Sequence, residues 1–467
     1  MKIVCVILAA GLGKRMNSAV PKVLHRICGV PMLQSVINTA RKLKPEKIVV
    51  VAGKHIDMLK KTVAADDVLF VRQKKAKGTA HALASARQAL KNFRNVIIVM
   101  NGDSPLVTDD TIRRFLKLHL RGRNSVSVIS FTAVDPSSYG RIVRSDSGKV
   151  LSIVEEKDAD RMQKNIHEVN SGVYAINHDA LCLLDDIKMN SAKGEYYLTD
   201  IVALSSKKGL KTAAFCIGSD DEFMGVNTRE ELSRASQLMK KNIINKWIGK
   251  GVSFLDPQTV FVHYDVHIGR DTTIYPNVFL EGNTKIGRGT TIYPNVRVKD
   301  GFIGSNVVIK DSSVIEGSTI KDRASIGPFA HIRPGSEIGN EARIGNFVEL
   351  KKAVIGRMSK ASHLSYLGDA KIGERVNIGA GTITCNYDGE RKHSTIIDNG
   401  VFVGSDSQLI APLRIGKGAY IGAGSTITKD VPPSALALSR VVQKNIMDWA
   451  KKRSGMKNKM SKSRNKK

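Results

Sequence analysis

The sequence predicts an α/β domain with a Rossmann-like, mainly parallel sheet, followed by a left-handed parallel β-helix of hexapeptide repeats. In the first half of the chain, nearly continuous aliphatic runs alternate with segments of helical spacing, which is typical of parallel strands joined by helices. In the second half, aliphatic residues return at every sixth position. A helix has a period near 3.6 and an ordinary strand a period of about 2, so a hexapeptide β-helix is the remaining explanation.

The first half contains three aliphatic runs that we predict to be buried strands, at Lys2–Ala9, Lys47–Ala52 and Asn95–Met100. Helix-type spacing occurs between them, at Pro31–Lys42 and Thr79–Lys91. Because strands and helices alternate in this way, we expect a sheet with helices on both faces.

A single amphipathic helix is predicted at 229–248, and Gly249 and Gly251 end it. This helix separates the two kinds of pattern. We therefore expect four segments. Residues 1–228 form a nucleotide-handling domain, 229–250 a helical linker and 251–440 a β-helix domain. Residues 441–467 form a C-terminal helix and a basic tail of low complexity, for which disorder is expected.

The six-residue register of the second half slips by one residue after Val298 and again after Ile315. It is interrupted between Leu350 and Ile372. With three short strands per coil, residues 268–432 give about nine coils of roughly 18 residues each. The interior of such a prism is aliphatic, which agrees with an aromatic content of only 5%.

The chain carries a formal net charge of +30, and nine of the lysines and arginines lie in 451–467. This balance is compatible with nucleic acid, an anionic membrane or phosphorylated small molecules as partners. The sequence contains no recognised nucleic-acid-binding motif, so nucleic acid is not the expected partner, although the tail leaves room for weak binding to polyanions. No apolar stretch has the ~20 residues that a membrane span needs. The five cysteines have no metal or redox spacing, which favours the reduced cytoplasm.

A glycine-containing turn follows the first predicted strand, with Gly11 and Gly13 ahead of Arg15. Glycines let the backbone approach a phosphate closely, and Arg15 and Lys22 supply positive charge. Asp103 follows another buried strand, where a carboxylate is a natural ligand for Mg²⁺. Taken alone, each of these features is weak, and Asp103 could equally belong to a simple turn.

In combination, the motifs of the first half resemble those of the sugar-1-phosphate nucleotidyltransferase family. With the hexapeptide β-helix, the chain is similar to the bacterial bifunctional family that joins an N-acetylglucosamine-1-phosphate uridyltransferase to a glucosamine-1-phosphate acetyltransferase. The resemblance extends to about Arg440 and does not include the tail. The segments that carry it in the first half are Leu8–Met16, Pro21–Lys22, Gly78–Thr79, Gly102–Asp103, Tyr139–Ile142, Ile153–Lys157, Asn170–Gly172, Gly194–Asp200 and Gly225–Asn227.

The resemblance implies a set of contacts for UTP and the nucleotide sugar. It implies Mg²⁺ as cofactor, with Asp103 and Asn227 as ligands, and a reaction that relies on positioning and charge neutralisation. The implied nucleotide-sugar contacts are Leu8, Ala9, Ala10, Gly11, Arg15, Lys22, Gln73, Gly78, Thr79, Gly140, Glu155, Asn170 and Asn227.

The chain departs from the family at two other positions of the first half. The family usually has a second glutamine two residues before the Gly-Thr pair, where Ala76 stands here. Recognition of uracil must then depend on Gln73 and on backbone groups. Asn101 occupies a position where the family commonly has tyrosine.

In the β-helix, the resemblance is carried above all by the long segment Gly379–Gly389. It implies that His363 is the general base of acetyl transfer and that Glu349 orients it. The implied contacts for glucosamine-1-phosphate are Arg333, Lys351, Tyr366, Asn377 and Lys392. Those for acetyl-CoA are Ala380, Asn386, Tyr387, Ser405, Ala423 and Arg440.

The resemblance thus implies a cytoplasmic homotrimer that makes UDP-N-acetylglucosamine, a precursor of peptidoglycan and lipopolysaccharide, from UTP, acetyl-CoA and glucosamine-1-phosphate by way of N-acetylglucosamine-1-phosphate. Two alternatives remain open. One is a nucleotidyltransferase for another sugar phosphate with a structural or regulatory β-helix. The other, based on charge alone, is a basic nucleic-acid-binding or scaffold protein.

Overall fold

The computed structural model describes residues 2–11, 13–64, 66–190 and 194–454. The chain divides into two compact units, of which the first comprises 1–250 with 261–266 and 280–282, and the second comprises the other residues. The segment boundaries expected at 228, 250 and 440 stay predictions. Within the described part of the chain, no helix combines the length and the apolar character needed to cross a bilayer.

The strands of the first unit build one large mixed sheet and one small hairpin. In chain order, the strands are β1 (Ile3–Ala9), β2 (Arg26–Ile27), β3 (Val30–Pro31), β4 (Lys47–Ala52), β5 (Val68–Arg72), β6 (Val96–Asn101), β7 (Val126–Thr132), β8 (Arg141–Arg144), β9 (Val150–Val154), β10 (Glu168–Asn177) and β11 (Thr212–Cys216). The large sheet has the order β11-β7-β10-β6-β1-β4-β5, with the β8–β9 hairpin attached to β10, and β2 pairs with β3.

The large sheet is mainly parallel, which confirms the prediction. Strand β1 pairs in parallel with both β4 and β6, β4 with β5, and β11 with β7. Strand β10 runs antiparallel to β6 and β7, and the β8–β9 hairpin attached to it is also antiparallel. Because β1, β4, β5 and β6 are parallel, their carboxyl ends meet at one edge, where ligands bind in open α/β sheets.

Helices cover both faces of this sheet. They are α1 (Met32–Lys42), α2 (Ile56–Thr62), α3 (Thr79–Ser85), α4 (Arg87–Leu90), α5 (Asp109–Arg121), α6 (Asp200–Lys207), α7 (Asp220–Phe223) and α8 (Arg229–Ile248). Alternate residues of β1 enter different cores, with Cys5 and Ile7 on one face and Val4 and Val6 on the other. This two-sided burial explains the continuous aliphatic run in the sequence.

Two of the predicted helices are refined by the structure. The segment predicted as one helix at 79–91 is divided into α3 and α4 at Ala86. The predicted helix at 229–248 forms as α8, and a capping box begins it, in which Thr228 and Glu231 each bond the backbone N–H of the other.

Three parallel sheets make up the β-helix, and each coil contributes one short strand to each of them. Face 1 contains Ser253–Phe254, Thr273–Ile274, Thr291–Ile292, Val308–Ile309, Ser325–Ile326, Arg343–Asn346, Lys360–His363, Asn377–Ile378, Phe402–Val403, Tyr420–Ile421 and Leu436–Ala437. Face 2 contains Phe261–Val262, Phe279–Glu281, Arg297–Lys299, Val314–Glu316, His331–Ile332, Glu349–Lys351, Tyr366–Gly368, Ile383–Cys385, Gln408–Ile410 and Thr426–Ile427. Face 3 contains His267–Ile268, Lys285–Ile286, Phe302–Ile303, Thr319–Ile320, Glu337–Ile338, Val354–Ile355, Ala370–Ile372, Thr395–Ile397 and Leu413–Ile415.

The predicted aliphatic register becomes an interior ladder. On face 1, consecutive coils align Ile274, Ile292, Ile309, Ile326 and Ile344 in parallel register. Each of these side chains is at most 1% exposed. The stacked isoleucines therefore form the core of the prism, as the hexapeptide pattern indicates.

The predicted interruption between Leu350 and Ile372 does not exist in the structure. The coil continues there, with Ile355, Ala361 and Leu367 buried in its interior. The sequence pattern was lost because alanine takes one interior position and two spacings shorten to five residues. The first short strand of the β-helix is Ser253–Phe254.

The C-terminal segment is less helical than expected. Residues 441–446 have no regular structure, and a helix begins only at Trp449 and is described as far as Ser454. The predicted basic, disordered tail beyond that residue lies outside the described residues.

Candidate functional site

The predicted phosphate-binding turn follows β1 at the carboxyl edge of the sheet. Leu8 and Ala9 end the strand, and the carbonyl of Leu8 accepts a hydrogen bond of 2.9 Å from the backbone N–H of Gly102. This bond joins the turn to the segment after β6. Ala10 is partly buried and Gly11 is exposed, so the backbone at this edge is open to a ligand.

Lys22 lies directly against the glycine turn. Gly13 has a φ of +63°, and a Cβ atom at this position would lie 2.6 Å from Cβ of Lys22. Only glycine allows this approach without displacing Lys22. Lys22 is 9% exposed, whereas the side chain of Arg15 is exposed to solvent.

The ammonium group of Lys22 brings the two predicted metal ligands together. Its Nζ donates to Oδ2 of Asp103 and, at 2.8 Å, to Oδ1 of Asn227. The backbone supports this arrangement, because the N–H of Val226 donates to the carbonyl of Asp103 at 2.9 Å. Residues far apart in sequence therefore place one carboxylate and one amide oxygen around a single cationic group.

These oxygens fit a small divalent cation. Mg²⁺ prefers hard oxygen ligands and is commonly bound by one or two protein groups, with substrate phosphates and water completing its coordination. The described residues contain no cluster of three or more His, Cys, Asp or Glu side chains that could hold a metal alone. An ion bound by Asp103 and Asn227 would therefore depend on the substrate for its remaining ligands.

The predicted uridine contacts meet at the start of α3. Nε2 of Gln73 donates to the carbonyl of Gly78 at 3.2 Å. Gly78 has a φ of +92°, and a Cβ there would lie 2.8 Å from the backbone nitrogen of Tyr196. The hydroxyl of Thr79 accepts from the N–H of Leu198 at 2.9 Å, so its side chain is already used within the chain.

The predicted sugar contacts form a second group beside β10. The N–H of Asn170 donates to the carbonyl of Gly140 at 2.8 Å, and Nδ2 of Asn170 donates to the hydroxyl of Tyr174 at 2.9 Å. Burial, and then the charge of Glu155, raises the pKa of Tyr174, so its phenol stays neutral. The hydroxyl of Thr199 donates to Oε1 of Glu155 at 3.1 Å.

In the β-helix, the partner of His363 differs from the prediction. Nδ1 of His363 lies 2.6 Å from Oδ1 of Asn346, whereas Glu349 accepts from Nη1 of Arg333 at 2.9 Å. The reason is register, because Asn346 and His363 are adjacent on face 1, whereas Glu349 lies on face 2 beside Tyr366. In the described chain the imidazole therefore contacts Asn346, and the orienting role of Glu349 stays a prediction.

The predicted sugar-phosphate residues include two neighbouring cations. Contact with the ammonium of Lys351 lowers the pKa of Lys392, because two like charges disfavour each other. Lys392 reaches this place on a hairpin inserted between faces 2 and 3, where it pairs with Tyr387. Two adjacent ammonium groups suit a phosphate, whose negative charge relieves their repulsion.

The same hairpin carries the two residues predicted near the acetyl group. Nδ2 of Asn386 donates to Oδ2 of Asp369 at 2.5 Å, which ties the hairpin to the preceding coil. Tyr387 is 60% exposed, and its hydroxyl donates to the carbonyl of Gly389. Asn377, predicted to contact the sugar phosphate, lies on face 1 one coil beyond Lys360.

Three of the six predicted acetyl-CoA residues form a column at one turn of the β-helix. Ala380, Ser405 and Ala423 each follow a face 1 strand by two residues, on three successive coils. Nη1 of Arg440 donates to the carbonyl of Ala423 at 3.1 Å, so its guanidinium lies at the end of this column.

Sequence reasoning did not find four residues that contact the candidate sites. These are His81, which contacts Gln73, Tyr174 and Thr199 beside the sugar group, and Asn346 beside His363. The sequence contains a histidine two residues after a Gly-Thr pair and an asparagine 17 residues before His363. The contacts of the histidine depend on the position of its helix, and those of the asparagine depend on the length of its coil.

Two family models match the chain. A MobA-like NTP transferase domain matches residues 5–167. The bacterial transferase hexapeptide model of six repeats matches residues 265–300, 317–352 and 394–429. The two matches therefore fall on the α/β domain and on the β-helix.

Curated relatives match both halves of the chain together. A "Bifunctional protein GlmU" from Thermodesulfovibrio yellowstonii is 49% identical over 448 residues, which cover 96% of this chain and 99% of the relative. Proteins of the same name from Shouchella clausii and Halalkalibacterium halodurans are 44% and 46% identical, and the alignments cover 98% and 96% of their lengths.

Proposed function

We infer that this chain, which belongs to the family of bifunctional GlmU proteins, makes UDP-N-acetylglucosamine in two steps. Acetyl transfer from acetyl-CoA to glucosamine-1-phosphate comes first. Uridylyl transfer from UTP to N-acetylglucosamine-1-phosphate follows, with release of pyrophosphate. The observation that carries this conclusion is the near-complete alignment with relatives named as bifunctional, at identities of 44–49%.

The carboxyl edge of the parallel sheet is the proposed site of uridylyl transfer. A phosphate oxygen of the sugar phosphate attacks the α-phosphorus of UTP, and the bond to the pyrophosphate group breaks. The attacking oxygen is already anionic, so no general base is needed. Lys22, Arg15 and the backbone of the glycine turn hold the phosphates and offset their charge. Asp103 and Asn227 would hold Mg²⁺, which when bound neutralises charge on the phosphate oxygens.

The β-helix carries the proposed site of acetyl transfer. The amine nitrogen of glucosamine-1-phosphate attacks the thioester carbonyl carbon, and the imidazole of His363 accepts the amine proton. The C–S bond then breaks, and CoA leaves as a thiol after taking up that proton. The 2.6 Å contact between Nδ1 and Asn346 supports this role, because it directs the imidazole proton to Nδ1 and leaves Nε2 free to act as the base.

We propose that the chain assembles as a cytoplasmic homotrimer. An exposed apolar ladder beside Asn346 and His363 supports assembly, in which Phe329, Phe347 and Leu364 are 51%, 55% and 61% exposed. The two phenylalanine rings stack with centroids 5.3 Å apart. A second copy would cover this surface and thereby enclose the acetyl site. All five cysteines are free, in keeping with a reducing compartment.

The nucleotide assignment is tested by product analysis with N-acetylglucosamine-1-phosphate, Mg²⁺ and each of ATP, GTP, CTP, UTP and TTP in turn. We expect UDP-N-acetylglucosamine and pyrophosphate from UTP, and much less product from the other four. Steady-state comparison of UTP and TTP is the sharpest part of the test, since Ala76 stands where relatives usually have a second glutamine. Equal efficiency with UTP and TTP would contradict the uridylyl assignment.

A further inference from the structure

Gln73 follows β5, and its side chain is almost fully buried, with 4% of the residue exposed. Its Nε2 has two hydrogen-bond partners, the carbonyl of Gly78 at 3.2 Å and Nδ1 of His81 at 2.9 Å. An amide nitrogen carries two hydrogens, so both are used by these contacts. The carbonyl oxygen of Gln73 is therefore the atom that remains for a ligand.

The chemistry of the two partners fixes the orientation of the amide. The carbonyl of Gly78 only accepts hydrogen bonds, so the NH₂ group of Gln73 must face it. The same nitrogen faces His81, whose Nδ1 must then be the acceptor and whose proton must be on Nε2. Rotating the amide by half a turn would place its oxygen against the carbonyl of Gly78 and lose that bond, and it would keep the bond to His81 only if the imidazole proton moved to Nδ1.

His81 itself is held firmly. It lies in α3, and its ring stacks on Tyr196 with centroids 6.5 Å apart and planes inclined by 27°. Tyr196 is tied to the same segment, since its N–H donates to the carbonyl of Lys77 at 2.8 Å and its carbonyl accepts from Ala80 at 3.0 Å. Nδ1 of His81, which accepts the hydrogen bond from Gln73, is thus part of a fixed local structure.

We propose that His81 is a positioning residue for base recognition, which holds the amide of Gln73 with its carbonyl oxygen toward the base. This inference rests on the proposed function, in which Gln73 contacts uracil. Uracil offers an N3–H donor to such an oxygen, whereas N3 of cytosine is an acceptor and is repelled by it. Because Ala76 removes the usual second glutamine, the orientation of this one amide is the side-chain contribution to selection against cytosine, beside that of backbone groups.

The test compares kcat/KM for UTP and CTP in the full-length protein and in two variants. His81→Phe keeps a ring that can stack on Tyr196 but removes the acceptor, and we expect the UTP:CTP ratio to fall about tenfold, the value of one hydrogen bond. His81→Asn restores an acceptor near the position of Nδ1, so the ratio should return toward that of the wild type. The ratio of UTP to 5-methyl-UTP should not change in either variant, because both bases present N3–H.

Gln73→Leu separates the inference from the function on which it rests. If Gln73→Leu lowers the UTP:CTP ratio and His81→Phe does not, His81 has no positioning role and the inference is overturned. If Gln73→Leu leaves the ratio unchanged, the proposed contact between Gln73 and uracil is itself wrong. Acetyl transfer, measured in the same preparations, should be unaffected by all three changes and reports that the protein is folded.

Discussion

Replacing His363 by alanine is expected to lower acetyl transfer by about 10²- to 10⁴-fold, the usual contribution of a general base, and to leave uridylyl transfer at the wild-type rate. The reason is that the amine of glucosamine-1-phosphate must lose a proton to form an amide. In the described chain the imidazole of His363 is oriented for this task by Asn346, at 2.6 Å from Nδ1. The change is measured by release of CoA thiol, with pyrophosphate release as the second assay.

Two further variants sharpen this prediction. Asn346→Ala should lower acetyl transfer less than His363→Ala does and alter its pH profile, because the imidazole remains but its proton is no longer directed to Nδ1. The matched control is His267→Ala, which removes another exposed histidine of the β-helix, on face 3. Full acetyl transfer by His363→Ala, or loss of both activities in a folded protein, would contradict the assignment.

The converse change, Asp103→Asn, is expected to lower uridylyl transfer by about 10³-fold while sparing acetyl transfer. A metal on transferring phosphates contributes several kcal/mol of charge stabilisation, and about 1.4 kcal/mol corresponds to a factor of ten. The substitution removes the carboxylate that Lys22 contacts and that would bind Mg²⁺. The expected signature is a lower kcat and a higher requirement for Mg²⁺.

Asp109→Asn is a matched control for this prediction. The side chain of Asp109 is 21% exposed and pairs with Lys42 at 3.1 Å, whereas that of Asp103 is 22% exposed and pairs with Lys22. The two carboxylates are thus equally exposed and each pairs with a lysine, but Asp109 lies in the first turn of α5 and outside the candidate site. Equal losses in the two variants would point to a general effect of removing an ion pair rather than to a metal ligand.

The sequence alone was sufficient for the main features of the fold. Continuous aliphatic runs identify strands buried on two faces, and the six-residue register identifies the interior ladder of the β-helix, because both patterns follow from periodic burial. Between Leu350 and Ile372 the register was lost because Ala361 replaces a larger aliphatic residue and two spacings shorten to five residues. There, the sequence no longer distinguishes an interior position from a turn.

The candidate sites were less accessible to sequence reasoning, because their contacts depend on exact coil lengths and long-range packing. Asn346 contacts His363 because one coil has 17 residues, and a longer coil would have brought a different residue there. Lys22 was predicted to bind phosphate, but nothing in the sequence places its ammonium on Asp103 and Asn227, which lie 81 and 205 residues away.

The most direct test of the central claim is coupled product analysis of the wild-type chain with glucosamine-1-phosphate, acetyl-CoA, UTP and Mg²⁺. The two-site account predicts UDP-N-acetylglucosamine, pyrophosphate and CoA in equal amounts, and no nucleotide sugar when acetyl-CoA is left out. N-acetylglucosamine-1-phosphate should then restore product without any acetyl-CoA. Nucleotide sugar formed from glucosamine-1-phosphate at full rate without acetyl-CoA, or no release of CoA in the complete mixture, would contradict the account.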